Sequence, residues 1–190
     1  SPLCLISKKD QGVDEPGKLA GKKVGIKDIS NESMIAFLLA SQGLSFEDII
    51  PIRVGLELQP LIDDEIDVFS GYLTNEPLLM KALGYEVNVI PAYQYGFDFY
   101  AGVYFVQESM LQEQPDVLEK FLRVTFRGWR EAFRDPEATA QFIVEHYYPE
   151  GEVQQQTEEL KLYRFLATRG VGERLLGIMR DAVWTKGIEI

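Results

Sequence analysis

A buried strand followed directly by a helix is predicted by residues 22–43, KKVGIKDISNESMIAFLLASQG. The strand is the short VGI segment, and the helix covers residues 31–42, where apolar side chains recur. Ser30 or Asn31 is the predicted N-cap and Gly43 the predicted stop, because these residue types favour the two ends of a helix. A strand–helix pair of this kind needs further elements beside it to bury its apolar surface.

Further strands and helices alternate downstream of this pair as far as Pro91. The predicted strands cover residues 49–54, 68–70 and 86–90, and the predicted helices cover residues 58–64 and 77–83. Such alternation is typical of βαβ units and a mostly parallel sheet. Residues 18–92 are therefore predicted to form one complete α/β lobe.

The rest of the chain is rich in helices and poor in strands. The predicted strands are residues 3–7 and 102–106, and the predicted helices cover residues 117–133, 158–166 and 173–185. A sheet of two strands is thin, and the chain starts without an initiator Met. We therefore expect residues 1–17 and 93–190 to form a second lobe that is incomplete because strands upstream of residue 1 are missing.

Composition and charge narrow the classes of partner. Apolar residues make up 46% of the chain and charged residues 26%, and no apolar run approaches the ~18 residues of a membrane helix. The net charge is −11, with 30 acidic against 19 basic residues. A nucleic acid needs a basic stripe to replace its counterions, so no nucleic-acid partner is predicted.

Cysteine and histidine are scarce. Cys4 and His146 are the single residues of their types, so the sequence offers neither an intrachain disulfide nor a Cys/His cluster for zinc. The acidic run of residues 63–67 lacks the glycine and the spacing of a calcium loop. No metal site and no cofactor are predicted.

Several segments, taken in order, resemble the periplasmic solute-binding proteins. Residues 2–9 (PLCLISKK) and 17–26 (GKLAGKKVGI) are similar to segments found across that family, and residues 67–77 (DVFSGYLTNEP) to its branch that binds thiamine-pyrimidine precursors, sulfonates and nitrate. Residues 95–100 (YGFDFY) and the helix around Trp129 look like the subset fused to bacterial sensor proteins.

The resemblance implies a type II periplasmic-binding fold, with two α/β lobes, two crossover connections and a ligand in the cleft. This chain would begin late in lobe one, cross to lobe two near Lys18 and return near Tyr93. The related thiamine-pyrimidine synthases carry a cysteine-rich motif and essential histidines, whereas this chain has only Cys4 and His146. We therefore predict that it is not an enzyme.

Three loops combine a predicted strand end with polar groups. Ligands of open α/β sheets bind beyond the carboxyl ends of the strands, and the N–H groups at a helix start attract polar ligand atoms. The first loop, residues 28–33, serves equally well as a plain helix cap. The candidate ligand-binding residues of the first two loops are Ser30, Asn31 and Ser33, followed by Tyr72, Asn75 and Glu76.

The third loop is residues 93–100, where five aromatic residues surround one carboxylate. Tyr95, Asp98 and Tyr100 are its candidate ligand-binding residues, because a flat heterocycle carrying an amine would stack on the rings and donate to the carboxylate. Packing at a hinge or in the core is the alternative role for these rings.

The sequence thus predicts an extracytoplasmic small-molecule-binding domain, with a pyrimidine-like ligand and no catalytic residues. It would serve either as the solute receptor of an importer permease or as the sensing domain of a fused signalling protein. The alternatives are an enzyme like the thiamine-pyrimidine synthases and a protein-interaction domain with a vestigial cleft. A homodimer is a further possibility, since an incomplete lobe exposes apolar surface.

Overall fold

A computed structural model describes residues 1–189 of the chain. These residues divide into two compact units. Unit 1 comprises residues 1–99 and 181–189, and unit 2 comprises residues 100–180.

Unit 1 is built on a five-stranded sheet with the strand order β3-β2-β4-β1-β5. The strands are β1 (Leu3–Lys8), β2 (Lys23–Ile26), β3 (Ile50–Arg53), β4 (Val68–Tyr72) and β5 (Val87–Pro91). Strand β2 runs parallel to β3 and β4, whereas β1 is antiparallel to both β4 and β5. Strands β4 and β5 therefore run in the same direction on either side of β1.

Helices α1 (Ile29–Ala40), α2 (Gln59–Ile62) and α3 (Glu76–Ala82) connect these strands. The α/β class is confirmed, and each element predicted between residues 18 and 91 is present, with ends that differ by at most two residues. The predicted N-cap is wrong: helix α1 is capped by Asp28, whose Oδ1 accepts from the Asn31 N–H at 3.0 Å. The backbone of Asp28 is extended, which lets its carboxylate accept from an N–H group of the first helical turn.

Apolar side chains cover both faces of the sheet. Leu5 and Val68 pack with helix α1 in one buried cluster, while their neighbours Ile6 and Phe69 join a second cluster that includes Met80. Successive residues of a strand point to opposite faces. The sheet is therefore a central layer with a core on each side, which holds its strand ends in fixed positions.

Unit 2 contains helices α4 (Glu108–Glu113), α5 (Pro115–Arg134), α6 (Pro136–His146) and α7 (Val153–Thr168). The predicted helix 173–185 is instead a short 3-10 turn at Glu173–Leu175 and, in unit 1, helix α8 (Asp181–Glu189). No helix among the described residues combines the length and the apolar character that a membrane crossing demands.

The predicted strand at residues 102–106 is absent. This segment has no regular secondary structure, and Phe105 within it is 89% exposed. A strand is stable only when a neighbour takes up its N–H and C=O groups, and no described strand pairs with this segment.

The predicted division into lobes also differs from the two units. Residues 1–17 were expected to join residues 93–190, yet strand β1 lies inside the sheet between β4 and β5. Its pairing with two strands distant in the chain places it in unit 1. Residues 93–99 belong to the same unit, so the boundary between the units falls at residue 100.

Candidate functional site

The three loops predicted from sequence follow three strands that share a direction. Strands β2 and β4 are parallel to each other, and β5 is parallel to β4 because both are antiparallel to β1. The carboxyl ends of parallel strands meet at one edge of a sheet. The loops that begin after Ile26, Tyr72 and Pro91 therefore leave the sheet at the same edge, which we call the binding edge.

Hydrogen bonds and an ion pair join the first two loops at the binding edge. The Ser70 hydroxyl, near the end of β4, donates to Asn31 Oδ1 over 2.8 Å. Lys27, directly after β2, pairs with Glu76 at the start of helix α3. The structure thus brings together two segments that lie some distance apart in the sequence.

Asn31 is completely buried in the first turn of α1. Its Oδ1 is used by Ser70, but its Nδ2 group has no hydrogen-bond partner among the described residues. A buried donor without a partner costs about 1–3 kcal/mol. The Asn31 Nδ2 group at the binding edge can therefore donate to a water molecule or to a ligand.

The two serines of the first loop are less committed to structure. Ser30 is exposed, and Ser33 is exposed with its hydroxyl donating to the Ile29 carbonyl oxygen at 3.0 Å. Ser33 therefore already has an acceptor within its own helix. Ser30 remains available at the start of α1, where the backbone N–H groups carry partial positive charge.

Tyr72 presents a half-exposed ring at the end of β4, with 37% of its surface accessible. Burial raises the pKa of its phenol, and the carboxylates of Asp28 and Glu76 raise it further, so the ring is uncharged at neutral pH. Asn75 is exposed at the start of α3 and makes no side-chain cap there. Both side chains are available to a ligand.

Glu76 has a different environment from the one that its sequence motif suggests. Its carboxylate is buried, with Oε1 2.5 Å from Lys27 Nζ and Oε2 accepting the Tyr72 N–H at 2.7 Å. Both oxygens are therefore occupied within the protein. Sequence reasoning missed Lys27, because a lysine directly after a strand is usually solvated.

The aromatic loop after β5 packs largely inward. Phe97 is buried, with its ring centroid 5.4 Å from that of Phe37 and 4.7 Å from that of Phe99. Tyr95 packs against the same core, and burial raises its pKa, as do Glu15 and Asp14. These rings therefore pack in the core that contains helix α1.

The two other candidates of this loop lie in different units. Asp98 Oδ1 is 2.9 Å from the backbone nitrogen of Ser1, which precedes β1 at the binding edge. Tyr100 belongs to unit 2, where its hydroxyl accepts the Arg180 N–H at 2.8 Å. The structure therefore places Asp98 beside the start of β1 at the binding edge, whereas Tyr100 belongs to the other unit.

The single cysteine and the single histidine of the chain lie in very different environments. Burial raises the pKa of the Cys4 thiol far above its ordinary value; Glu76 raises it as well, whereas Lys27 lowers it. The thiol therefore remains protonated and is a poor nucleophile. His146 is exposed at the end of α6 in unit 2, and no cluster of metal-ligating side chains occurs among the described residues.

The chain is similar to several known proteins. Residues 1–139 match the family described as NMT1/THI5 like. The riboflavin-binding protein RibY of Chloroflexus aurantiacus is 27% identical over 97% of this chain and 54% of its own length. The 4-amino-5-hydroxymethyl-2-methylpyrimidine phosphate synthase of Legionella pneumophila is 23% identical over 75% of this chain and 46% of its own.

The chain spans about half the length of these two curated relatives. Among solved structures, the periplasmic aliphatic sulphonate binding protein SsuA of Escherichia coli superposes with a TM-score of 0.70 at 14% identity. That match covers 84% of this chain and 51% of SsuA, and it shows a shared fold. The chain therefore belongs to the NMT1/THI5-like family and has the type II periplasmic solute-binding fold that its sequence motifs predict.

Proposed function

We propose that the chain is an extracytoplasmic small-molecule-binding domain that holds a pyrimidine-like heterocycle at the binding edge. The observation that carries this proposal is the buried Asn31 amide, whose Nδ2 group has no acceptor among the described residues. The Oδ1 of the same amide accepts a hydrogen bond from Ser70. Ser70 lies two residues before Tyr72, whose ring is half-exposed. A directional donor beside an aromatic face suits a flat ring that carries a hydrogen-bond acceptor.

The two curated relatives support this ligand class. One is named for riboflavin, whose ring system contains a fused pyrimidinedione, and the other for a substituted pyrimidine phosphate. Ser30 and Asn75 would supply polar contacts around such a ring, and Asp98 would accept from an amine substituent. Tyr95 and Ser33 would have supporting roles, because each already has contacts inside unit 1.

Binding without catalysis fits the groups at the binding edge. Cys4 is buried and protonated, and its pKa is raised rather than lowered as nucleophilic catalysis would need. The relationship to SsuA and RibY favours a receptor that delivers its ligand to an importer permease. A fused signalling domain is the alternative recipient, supported by the YGFDFY segment.

Thermal unfolding with riboflavin, 4-amino-5-hydroxymethyl-2-methylpyrimidine, uracil and an alkanesulfonate tests the proposal. A ligand present at about a hundred times its Kd stabilises the native state by about 2.7 kcal/mol. We expect stabilisation by at least one pyrimidine-ring compound and a smaller effect from the sulfonate. Stabilisation by the sulfonate alone would retain a binding function but contradict the heterocycle.

Tyr72→Ala locates the site. Loss of a stacking partner worth about 0.5–1.5 kcal/mol raises the Kd by about twofold to tenfold. Tyr85→Ala is the matched control: the two tyrosines are 37% and 36% exposed, but Tyr85 precedes β5 and so lies at the opposite edge of the sheet. Equal Kd values for both variants would place the ligand elsewhere.

A further inference from the structure

A buried ion pair lies within the binding edge. The Lys27 ammonium and the Glu76 carboxylate are 2.5 Å apart, and their side chains are only 5% and 4% exposed. Removing two charges from water is costly and is offset only by close pairing and additional hydrogen bonds. Its position beside the proposed ligand site favours a role in the choice of ligand.

The contacts of the pair hold it rigidly in place. Glu76 Oε2 accepts the Tyr72 N–H at 2.7 Å, and Lys27 Nζ lies 5.3 Å from the centre of the Tyr72 ring and 5.2 Å from that of Phe69. A Cβ at Gly71 would come within 2.7 Å of Glu76 Oε2, so the glycine leaves room for the carboxylate. Both charges are therefore fixed relative to the ring on which a ligand would stack.

The electrostatic effect of such a pair depends on its balance. The fields of two opposite unit charges at this separation oppose each other and leave a weaker dipole field at a bound ligand, whereas either charge alone acts strongly through a partly buried site. Lys27 would by itself attract anions. With Glu76 as its counter-ion, that attraction is weakened, and the nearby carboxylate of Asp28, which caps α1, adds negative charge at the same edge.

We infer, building on the proposed binding function, that the Lys27–Glu76 pair makes the site select uncharged heterocycles over anions. Glu76 acts as an internal counter-ion that withholds the charge of Lys27 from an anionic ligand. Its buried carboxylate need not touch the ligand, so both residues determine specificity through charge and through the position of Tyr72. The ligand class is a neutral aromatic ring, as opposed to a ring carboxylate or a sulfonate.

Uracil and orotate test the inference, because they share a ring and differ by one carboxylate that is ionised at neutral pH. Riboflavin serves as a larger neutral probe. We expect wild-type protein to bind uracil at least tenfold more tightly than orotate. Comparable affinities for the two compounds would overturn the inference.

Charge variants then assign the selectivity to the pair. Glu76→Gln leaves Lys27 without its counter-ion, and we expect at least a tenfold gain in orotate affinity, with stabilisation by sulfate beyond that of the wild type at equal ionic strength. The double variant Lys27→Met/Glu76→Gln restores neutrality and should lose that gain. Since Glu76→Gln leaves a buried lysine unpaired and is prone to unfold, the double variant also provides an independent test.

The outcomes separate this inference from the proposal on which it rests. If uracil and riboflavin bind but Glu76→Gln gains nothing for orotate or sulfate, the charge selection is wrong and the binding function stands. The same holds if the double variant prefers orotate. If neither neutral probe binds wild-type protein, the heterocycle proposal fails and the selection falls with it.

Discussion

Unit 1 and unit 2 bury very different amounts of apolar surface. Among the described residues, 21 buried apolar side chains lie in unit 1, whereas unit 2 has Leu118, Phe133, Ala140 and Leu160. Unit 1 places its apolar residues on both faces of a sheet, and strands β1, β4 and β5 each contribute to both cores. Regular helices therefore do not by themselves produce a core, whereas helices and a sheet that pack face to face do.

Helix α5 illustrates the difference. Its sequence predicts a core stripe of seven apolar residues, of which Leu118 and Phe133 are buried and Val117, Phe121 and Leu122 are exposed. Tyr104 packs edge-on against Phe121, with ring centroids 5.8 Å apart, but this contact leaves both rings half accessible. The helix is thus specified locally, while much of its apolar face has no cover within unit 2.

The largest expected effect comes from truncating a buried ring in unit 1. Phe69→Ala removes a fully buried side chain from β4 and should lower the free energy of unfolding by about 3–5 kcal/mol. Phe105→Ala, in the exposed segment of unit 2, should change it by less than about 0.5 kcal/mol. Urea unfolding measures both values.

Single-tryptophan backgrounds assign the loss to a unit. Trp129→Phe leaves Trp184 in helix α8 to report on unit 1, and Trp184→Phe leaves Trp129 to report on unit 2. The Phe69 variant should shift the Trp184 transition. A large loss of unfolding free energy in Phe105→Ala would instead show that residues 102–106 are covered in solution. That result would contradict the difference in packing between the two units.

A smaller effect on stability is expected from replacing two glycines by alanine. Gly71→Ala places a Cβ 2.7 Å from Oε2 and 2.9 Å from Cδ of Glu76, whose carboxylate is held by Lys27, and should cost about 1–3 kcal/mol. Gly102→Ala meets nothing within 4 Å and should stabilise by about 0.4–1 kcal/mol through the unfolded state. Thermal unfolding of both variants decides whether tight packing is confined to unit 1.

The smallest effect is expected from the helix caps, and it should be equal in the two units. Asp28 caps α1 in unit 1 and Asp135 caps α6 in unit 2, each accepting a backbone N–H at 3.0 Å and 3.1 Å respectively. Replacing either by Ala should cost about 1 kcal/mol, because capping is local. The double variant should show additive losses; a cap worth much more in one unit would mean that tertiary contacts contribute.

Local patterns predicted the fold where the chain alternates regularly. The strands and helices between residues 18 and 91 follow from short apolar runs and from stops such as Gly43, which takes the left-handed conformation at φ +70°. Pairing between distant segments was not predictable from such patterns. The sequence pattern therefore grouped β1 with the helix-rich segment, whereas it pairs with β4 and β5, and residues 102–106 were predicted as a strand although no described strand pairs with them.

The loops of the candidate site were predictable, but the roles of individual side chains were not. Strand ends followed by polar residues identified the segments of Asn31 and Tyr72. Burial decided the rest: Glu76 turns inward to Lys27, and Asp28 rather than Ser30 caps helix α1. A lysine after a strand is usually solvated, so its burial becomes evident only from the packing.

The position of β1 has a consequence for how the molecule is made. Its residue Cys4 lies opposite Gly71 on one side and Pro91 on the other, so β1 must wait for partners that leave the ribosome much later. Closing such long loops costs entropy and slows folding. During that delay an apolar LCLI segment is unpaired, and exposed apolar segments of this kind are prone to aggregate.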